Sequence, residues 1–150
     1  MRGLFILSFW VSVSAAAVAE GPRWCSVSSI DPSNTIHYAP IAAAAQVEGG
    51  VSAVIIYRPN GRVEKVDSVS GTLLLSQPLA NQLSKWTVRS NAPGDADCQT
   101  QVFAVFTLRA THRGKEKIKL KMEPNTLSIS ISKPRPIVYE DSAIAAKAGF

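Results

Sequence analysis

Residues 51–70, VSAVIIYRPNGRVEKVDSVS, decide the fold. β-Branched and aromatic residues dominate 51–58, Pro59-Asn60-Gly61 makes a tight turn in which Gly61 can take positive φ, and 62–70 is extended again. That pattern predicts a β-hairpin. Downstream, residues 73–86 read LLLSQPLANQLSKW, and Leu75, Leu79, Leu83 and Trp86 recur at helical spacing. They predict a helix with one apolar face, Ser76 as N-cap and Pro78 in the first turn, where its missing N–H is not needed. Upstream, Pro40 opens the alanine-rich run 40–47, and Gly49-Gly50 stand just past its end. A proline near the start and glycine beyond the end mark a short helix.

Beyond the loop at 91–97, residues 100–109 (TQVFAVFTLR) form a strand that is apolar on both faces, so we expect both faces to be covered. Lys115, Lys117, Lys119 and Lys121 then alternate with Ile118, Leu120 and Met122. After a turn at Glu123-Pro124-Asn125, Leu127, Ile129 and Ile131 alternate with Ser128, Ser130 and Ser132. Each strand of this second hairpin has one face to bury and one for water. Trp24, Trp86 and Phe103 are expected in the core. The expected class is α+β: a small antiparallel sheet with two helices plus an appended C-terminal β-hairpin.

Several of these pieces stand in a familiar order. Tyr38-Ala39-Pro40-Ile41-Ala42 with Ala45 precedes Val47-Glu48-Gly49-Gly50-Val51. Asn60-Gly61-Arg62-Val63 exits the hairpin turn, and Ser70-Gly71 ends the hairpin. Leu75 leads the helix, Trp86 closes it, and Phe106-Thr107-Leu108 ends the last strand. In this, residues 38–108 resemble the C-terminal domain of TonB-type energy transducers. The resemblance implies that domain's α+β fold, a periplasmic address and the taking up of an extended receptor segment by strand addition. It does not imply force transmission, because the leader at 20–37 would reach only about 60 Å even fully extended and is no long proline-rich stalk.

The chain begins with Arg2, an apolar run at 4–13 (LFILSFWVSV) and small residues at 15–19, the pattern of a secretory signal peptide cut before Glu20. The run is shorter than the roughly 20 apolar residues that span a bilayer. We therefore expect an exported protein, periplasmic or extracellular and soluble after cleavage. In an oxidising compartment the two cysteines, Cys25 and Cys98, are expected to form a disulfide. The resulting organisation is a signal at 1–19, a leader at 20–37, a TonB C-terminal-like domain at 38–109, a basic hairpin at 110–133 and a flexible tail at 134–150.

The 150 residues make one domain and contain no collagen period, heptad or low-complexity tract. The formal charge of +5 comes from one place: residues 109–135 carry eight basic and two acidic side chains, leaving the rest of the chain at −1. Export removes nucleic acid as the expected partner. His37 and His112 are isolated, and no nucleophile or metal-ligand motif is present, so neither catalysis nor a cofactor nor a metal is expected. Asp95 and Asp97 are expected to be solvated loop residues.

The leading expectation is a non-catalytic periplasmic binding module, linked to outer-membrane transport. It would use Val102-Phe103-Ala104-Val105-Phe106-Thr107-Leu108 as a partner-binding strand for a receptor segment or for self-association. The alternative is an envelope structural, small-ligand or anionic-polymer-binding protein. There Lys115, Lys117, Lys119 and Lys121 would contact an anionic membrane or cell-wall surface. A lysine row at a sheet edge also serves simply to prevent sheet-to-sheet aggregation.

Overall fold

The hairpin at 51–70 forms as β3 (Gly49–Tyr57) and β4 (Val63–Ser70), joined by a turn in which Gly61 has a φ of +90°. A Cβ on Gly61 would lie 2.0 Å from the Val88 carbonyl oxygen, so the close approach as well as the backbone requires glycine. The computed structural model describes residues 21–91 and 94–137. The expected signal at 1–19 and the part of the expected tail from 138 onward lie outside the described residues.

Among the described residues the class is α+β, a mostly sheet domain with eight strands and two helices. Before β3 come β1 (Arg23–Trp24), β2 (Val27–Ile30) and α1 (Pro40–Ala44). After β4 come α2 (Leu73–Leu83), β5 (Val88–Ser90), β6 (Cys98–Arg109), β7 (Lys117–Glu123) and β8 (Thr126–Pro134). The main sheet runs β4-β3-β6-β8-β7, with β1 paired to the start of β6, and β2 and β5 form a separate two-stranded sheet.

Two corrections concern the second hairpin. It is not an appendage: β8 pairs with β6 from Gln101↔Thr126 to Arg109↔Pro134, inserting itself between β6 and β7. Nor is the sheet wholly antiparallel, since the β6–β8 and β1–β6 pairs are parallel. The hairpin turn, with Asn125 at φ 57°, lets the chain run down β7 and return up β8.

Helix ends also differ from expectation. α1 stops at Ala44 because Gln46 takes a left-handed φ of 54°, and the Gln46 and Val47 amides donate to the Ala43 and Ala42 carbonyls. Gly49 instead opens β3. α2 starts after Thr72, three residues before the expected cap, so Ser76 is buried inside the helix and Pro78 falls in its second turn. A proline there removes a hydrogen bond to the Leu74 carbonyl at a cost of ~3 kcal/mol. Burial of Leu75, Leu79 and Leu83, worth about 1.5–3 kcal/mol each, offsets it. Packing rather than capping holds this helix, because its N-cap makes no side-chain hydrogen bond.

The core lies between the helices and one face of the sheet, where Val51, Ala53, Ile55, Val102, Ala104, Phe106, Leu127, Ile129 and Ile131 are buried with Trp86. Trp24 and Phe103, expected in the core, are exposed. Tyr38 is buried with its ring 5.3 Å from Phe106, edge to face, and its hydroxyl donates to the Val47 carbonyl. Cys25 and Cys98 form the expected disulfide. Next to it, buried Thr100 donates to the Cys25 carbonyl at 2.7 Å and meets the Tyr57 hydroxyl at 3.1 Å, satisfying the polar groups of this corner.

The disulfide closes 73 residues, which corresponds to about 4 kcal/mol in the chain-entropy model. Replacing both cysteines by alanine should lower unfolding stability by about that amount, measured by denaturant titration. Burial, with a smaller contribution from the Glu48 charge, pushes the Tyr38 hydroxyl up to about 12. Tyrosine in an unfolded chain ionises near 10, so this stabilisation is complete below about pH 10 and is lost as pH rises towards 12. Thermal midpoints should therefore fall across that window, and Y38F should show a shallower fall.

Candidate functional site

The strand expected to bind a partner, Val102 to Leu108, lies inside the sheet with β3 on one edge and β8 on the other. Strand addition at β6 is thereby closed. The two faces of β6 also differ. Val102, Ala104, Phe106 and Leu108 are buried, whereas Phe103 is 45% exposed on the opposite face and Val105 is half-buried. Coverage of both faces, expected from composition, does not hold among the described residues. The large ring is accommodated beside Gly50, where a Cβ would stand 3.3 Å from the Phe103 ring.

β4 and β7 are the sheet edges. β4 is irregular, with register shifts against β3, Ser68 at φ 50°, and charged pairs Arg58–Glu64 at 3.0 Å and Lys65–Asp67 at 3.3 Å. Such a bulged, charged edge resists further pairing. β7 pairs with β8 in unbroken register from Lys117↔Ser132 to Glu123↔Thr126. Lys117, Lys119 and Lys121 stand beside Ser132, Ser130 and Ser128 on the face that also carries Phe103. Lys115 precedes the strand, and its carbonyl accepts from the Arg109 guanidinium, so the row in the strand has three lysines. Lys121 meets Glu123 at 2.6 Å; that hydrogen bond, then its charge, raises the lysine pKa and lowers the glutamate's.

The other face of β7 carries the feature that sequence reading missed. Ile118, Leu120 and Met122 point to the core side but remain 39%, 45% and 48% exposed. The reason is reach: α2 packs on β3 and β4, the far half of the sheet, whereas β2 of the leader packs against β7. Between them runs an open groove of about 310 Å³ lined by Ile30, Pro32, Ile36, Trp86, Ile118 and Leu120, with Asp31, Asn34, Thr35 and His37 at its polar margin. The exposed alternation Ile118-x-Leu120-x-Met122 was its only signal in the sequence, and it is the same signal as a buried face.

Hydrogen bonds hold the groove's far wall. The Asn34 side chain brackets Thr87, donating to its carbonyl at 2.7 Å and accepting from its amide at 3.0 Å. Trp86 Nε1 donates to the Thr35 carbonyl at 3.0 Å, and Gln82 exchanges bonds with both backbone groups of His37. Glu116, just before β7, accepts from the buried Tyr38 amide at 3.0 Å and lies 3.7 Å from His37 Nδ1. It joins the leader to the hairpin. The arrangement offers, among the described residues, an apolar trough beside a strand that pairs on one side only, with cations on its outer face. Among the described residues, no cluster of three or more His, Cys, Asp or Glu has metal-binding proximity, and no helix is long and apolar enough to cross a membrane.

Comparison with known proteins returns no matching family, no matching curated relative and no matching solved structure.

Replacing Glu116 by alanine strands the Tyr38 amide in the interior, a loss of about 2 kcal/mol for a charge-assisted hydrogen bond. The E116A variant should unfold correspondingly earlier in denaturant. It should also exchange its Tyr38 amide hydrogen faster, while amides in β3 keep their protection.

Proposed function

We propose that this chain is a non-catalytic binding module, without a cofactor, that takes an extended segment of another envelope protein along the free edge of β7. One observation carries this reading: among the described residues β7 pairs on one side only, with β8 in regular register, and has an apolar groove along one face and lysines along the other. Strand addition supplies main-chain hydrogen bonds, and alternating side chains supply selectivity. A residue added opposite Lys117, Lys119 or Lys121 would sit about 5 Å away on the outer face, and its neighbours would face Ile118, Leu120 and the groove. The partner segment therefore alternates acidic and apolar residues.

The same lysines argue against self-association at this edge. A second copy of β7 would set lysine against lysine, which is destabilising at facing positions. Export belongs to the same proposal, supported by the Cys25–Cys98 disulfide, since such bonds persist in oxidising compartments. So does the resemblance of residues 38–108 to TonB-type C-terminal domains, which makes a periplasmic segment of an outer-membrane receptor a partner of the right kind. What changes is the place of engagement, from β6 to β7.

A labelled synthetic peptide alternating glutamate with isoleucine should bind the full chain in fluorescence anisotropy, more weakly as salt rises. Reversing all three lysines to glutamate should weaken it at least about tenfold, because each facing pair turns from attraction to repulsion. Amide shifts in nuclear magnetic resonance spectra should concentrate in residues 117–123. A peptide with lysine in place of glutamate should not bind. Equal binding of both peptides, or shifts confined to other strands, would remove the reading.

A further inference from the structure

Between its core residues Leu127, Ile129 and Ile131, β8 turns only serine outward: Ser128, Ser130 and Ser132. Register sets these short side chains between two strands that carry longer ones. Phe103, Val105 and Thr107 of β6 stand beside them on one side, and Lys121, Lys119 and Lys117 of β7 on the other. Residues in register share a face of the sheet, so the three rows run side by side. Adjacent strands lie about 4.8 Å apart, which leaves roughly 10 Å between the β6 and β7 rows. Serine is too short to fill that space. The outer face therefore holds a shallow channel over β8, about 13 Å long from Ser128 to Ser132, while the core and α2 lie on the opposite face.

The walls of the channel differ in chemistry. On the β6 side the Phe103 ring leans over Gly50 and keeps 45% of its residue's surface exposed. Covering a glycine between strands accounts for where the ring lies, but not for the hydroxyls and cations ranged beside it. On the β7 side Lys117 and Lys119 are exposed and, among the described residues, form no ion pair, whereas Lys121 is drawn to Glu123 at 2.6 Å. In the floor, Ser128 donates to Glu123 at 3.4 Å and Ser130 is exposed. The aromatic wall and the available ammonium groups are thus offset by one to two rows along the channel.

We infer that this channel binds an acidic polysaccharide, one sugar ring lying against Phe103 and carboxylates of the following units directed to Lys119 and Lys117. A uronic acid matches all three rows: a face of C–H groups for the aromatic ring, hydroxyls for the serines and a carboxylate for an ammonium group. The main chain disfavours a polypeptide here. Both sides of β8 from Ser128 to Ser132 are paired, with β6 and with β7, so a peptide lying over it would find no partners for its own amides. A membrane suits the face less well, because a floor of hydroxyls beside a single large apolar ring resists burial among acyl chains. Successive nucleotides stack on successive rings, and the channel has one. The channel shares its lysines with the strand-binding reading of β7 but uses neither that strand's outer edge nor the apolar groove, so either reading can fail alone.

The test titrates the full chain with an oligomer of galacturonic acid at constant ionic strength, followed by nuclear magnetic resonance. Saturable shifts of the Phe103 ring protons and of the amides of residues 128–132 are expected, and the fully methyl-esterified, uncharged oligomer should bind at least about tenfold more weakly. F103T and K117Q/K119Q should each weaken the acidic oligomer about tenfold. L120S, on the groove face, should leave it unchanged while weakening the alternating glutamate–isoleucine peptide, and F103T should leave that peptide unaffected. Failure of the oligomer to saturate, or F103T binding it as tightly as the unaltered chain, overturns the proposal. So does equal binding of polyglutamate, which would assign the channel to negative charge alone. Tighter binding of oligothymidylate or of phosphatidylglycerol vesicles, lost in F103T, would assign it to a nucleic acid or a membrane and overturn it too. If F103T fails to fold, the ring-proton shifts of the unaltered chain still decide.

Discussion

The parallel pairing of β8 with β6 is the constraint from which the rest of the structure follows. It places Leu127, Ile129 and Ile131 beside Val102, Ala104 and Phe106, extending the buried face of the sheet by one fully used strand. Parallel neighbours need a crossover between them, and here residues 110–125, including β7, serve as that crossover. β7 is thereby expelled to the edge. The same register joins Arg109 to Pro134 and so brings Arg135 against the end of β6. One set of main-chain bonds thus closes the edge of β6 and leaves β7 at the margin of the sheet.

Local order was legible in the sequence wherever local chemistry determined it. The turn at Gly61 needs glycine for its backbone and for the Val88 carbonyl, and the spacing of Leu75, Leu79 and Leu83 marks the face that is buried. The two cysteines paired once export was assumed. Sheet order was not legible, because alternation in Leu127-Ser128-Ile129-Ser130-Ile131 states which face is buried and nothing about which strand lies alongside. β6 was read as a candidate edge for that reason. Ile118, Leu120 and Met122 alternate as cleanly as Leu127, Ile129 and Ile131, yet only the second set lies beneath other elements. Periodicity cannot distinguish a face that is covered from one that awaits a cover. Ser76 failed as a cap because the buried leucine face already begins at Leu75, so the helix starts ahead of it at Leu73, itself exposed, and Pro78 lies past the first turn.

The basic excess of residues 109–135 is one number in the sequence and two arrangements in space. Lys117, Lys119 and Lys121 are solvated side chains spaced two residues apart, about 7 Å along the strand, within a Debye length of one another at physiological salt. Their mutual repulsion is modest and screened, and the charge acts mainly by deciding what can lie alongside. Arg109 instead turns its guanidinium back onto the Lys115 carbonyl, and Arg135 is held through its main chain at the end of β6, so neither extends the row. An interaction at the β7 edge therefore weakens as ionic strength rises. A basic isoelectric point by itself does not reveal this arrangement; the strand order that β8 imposes is what turns the composition into a row of lysines along one sheet edge.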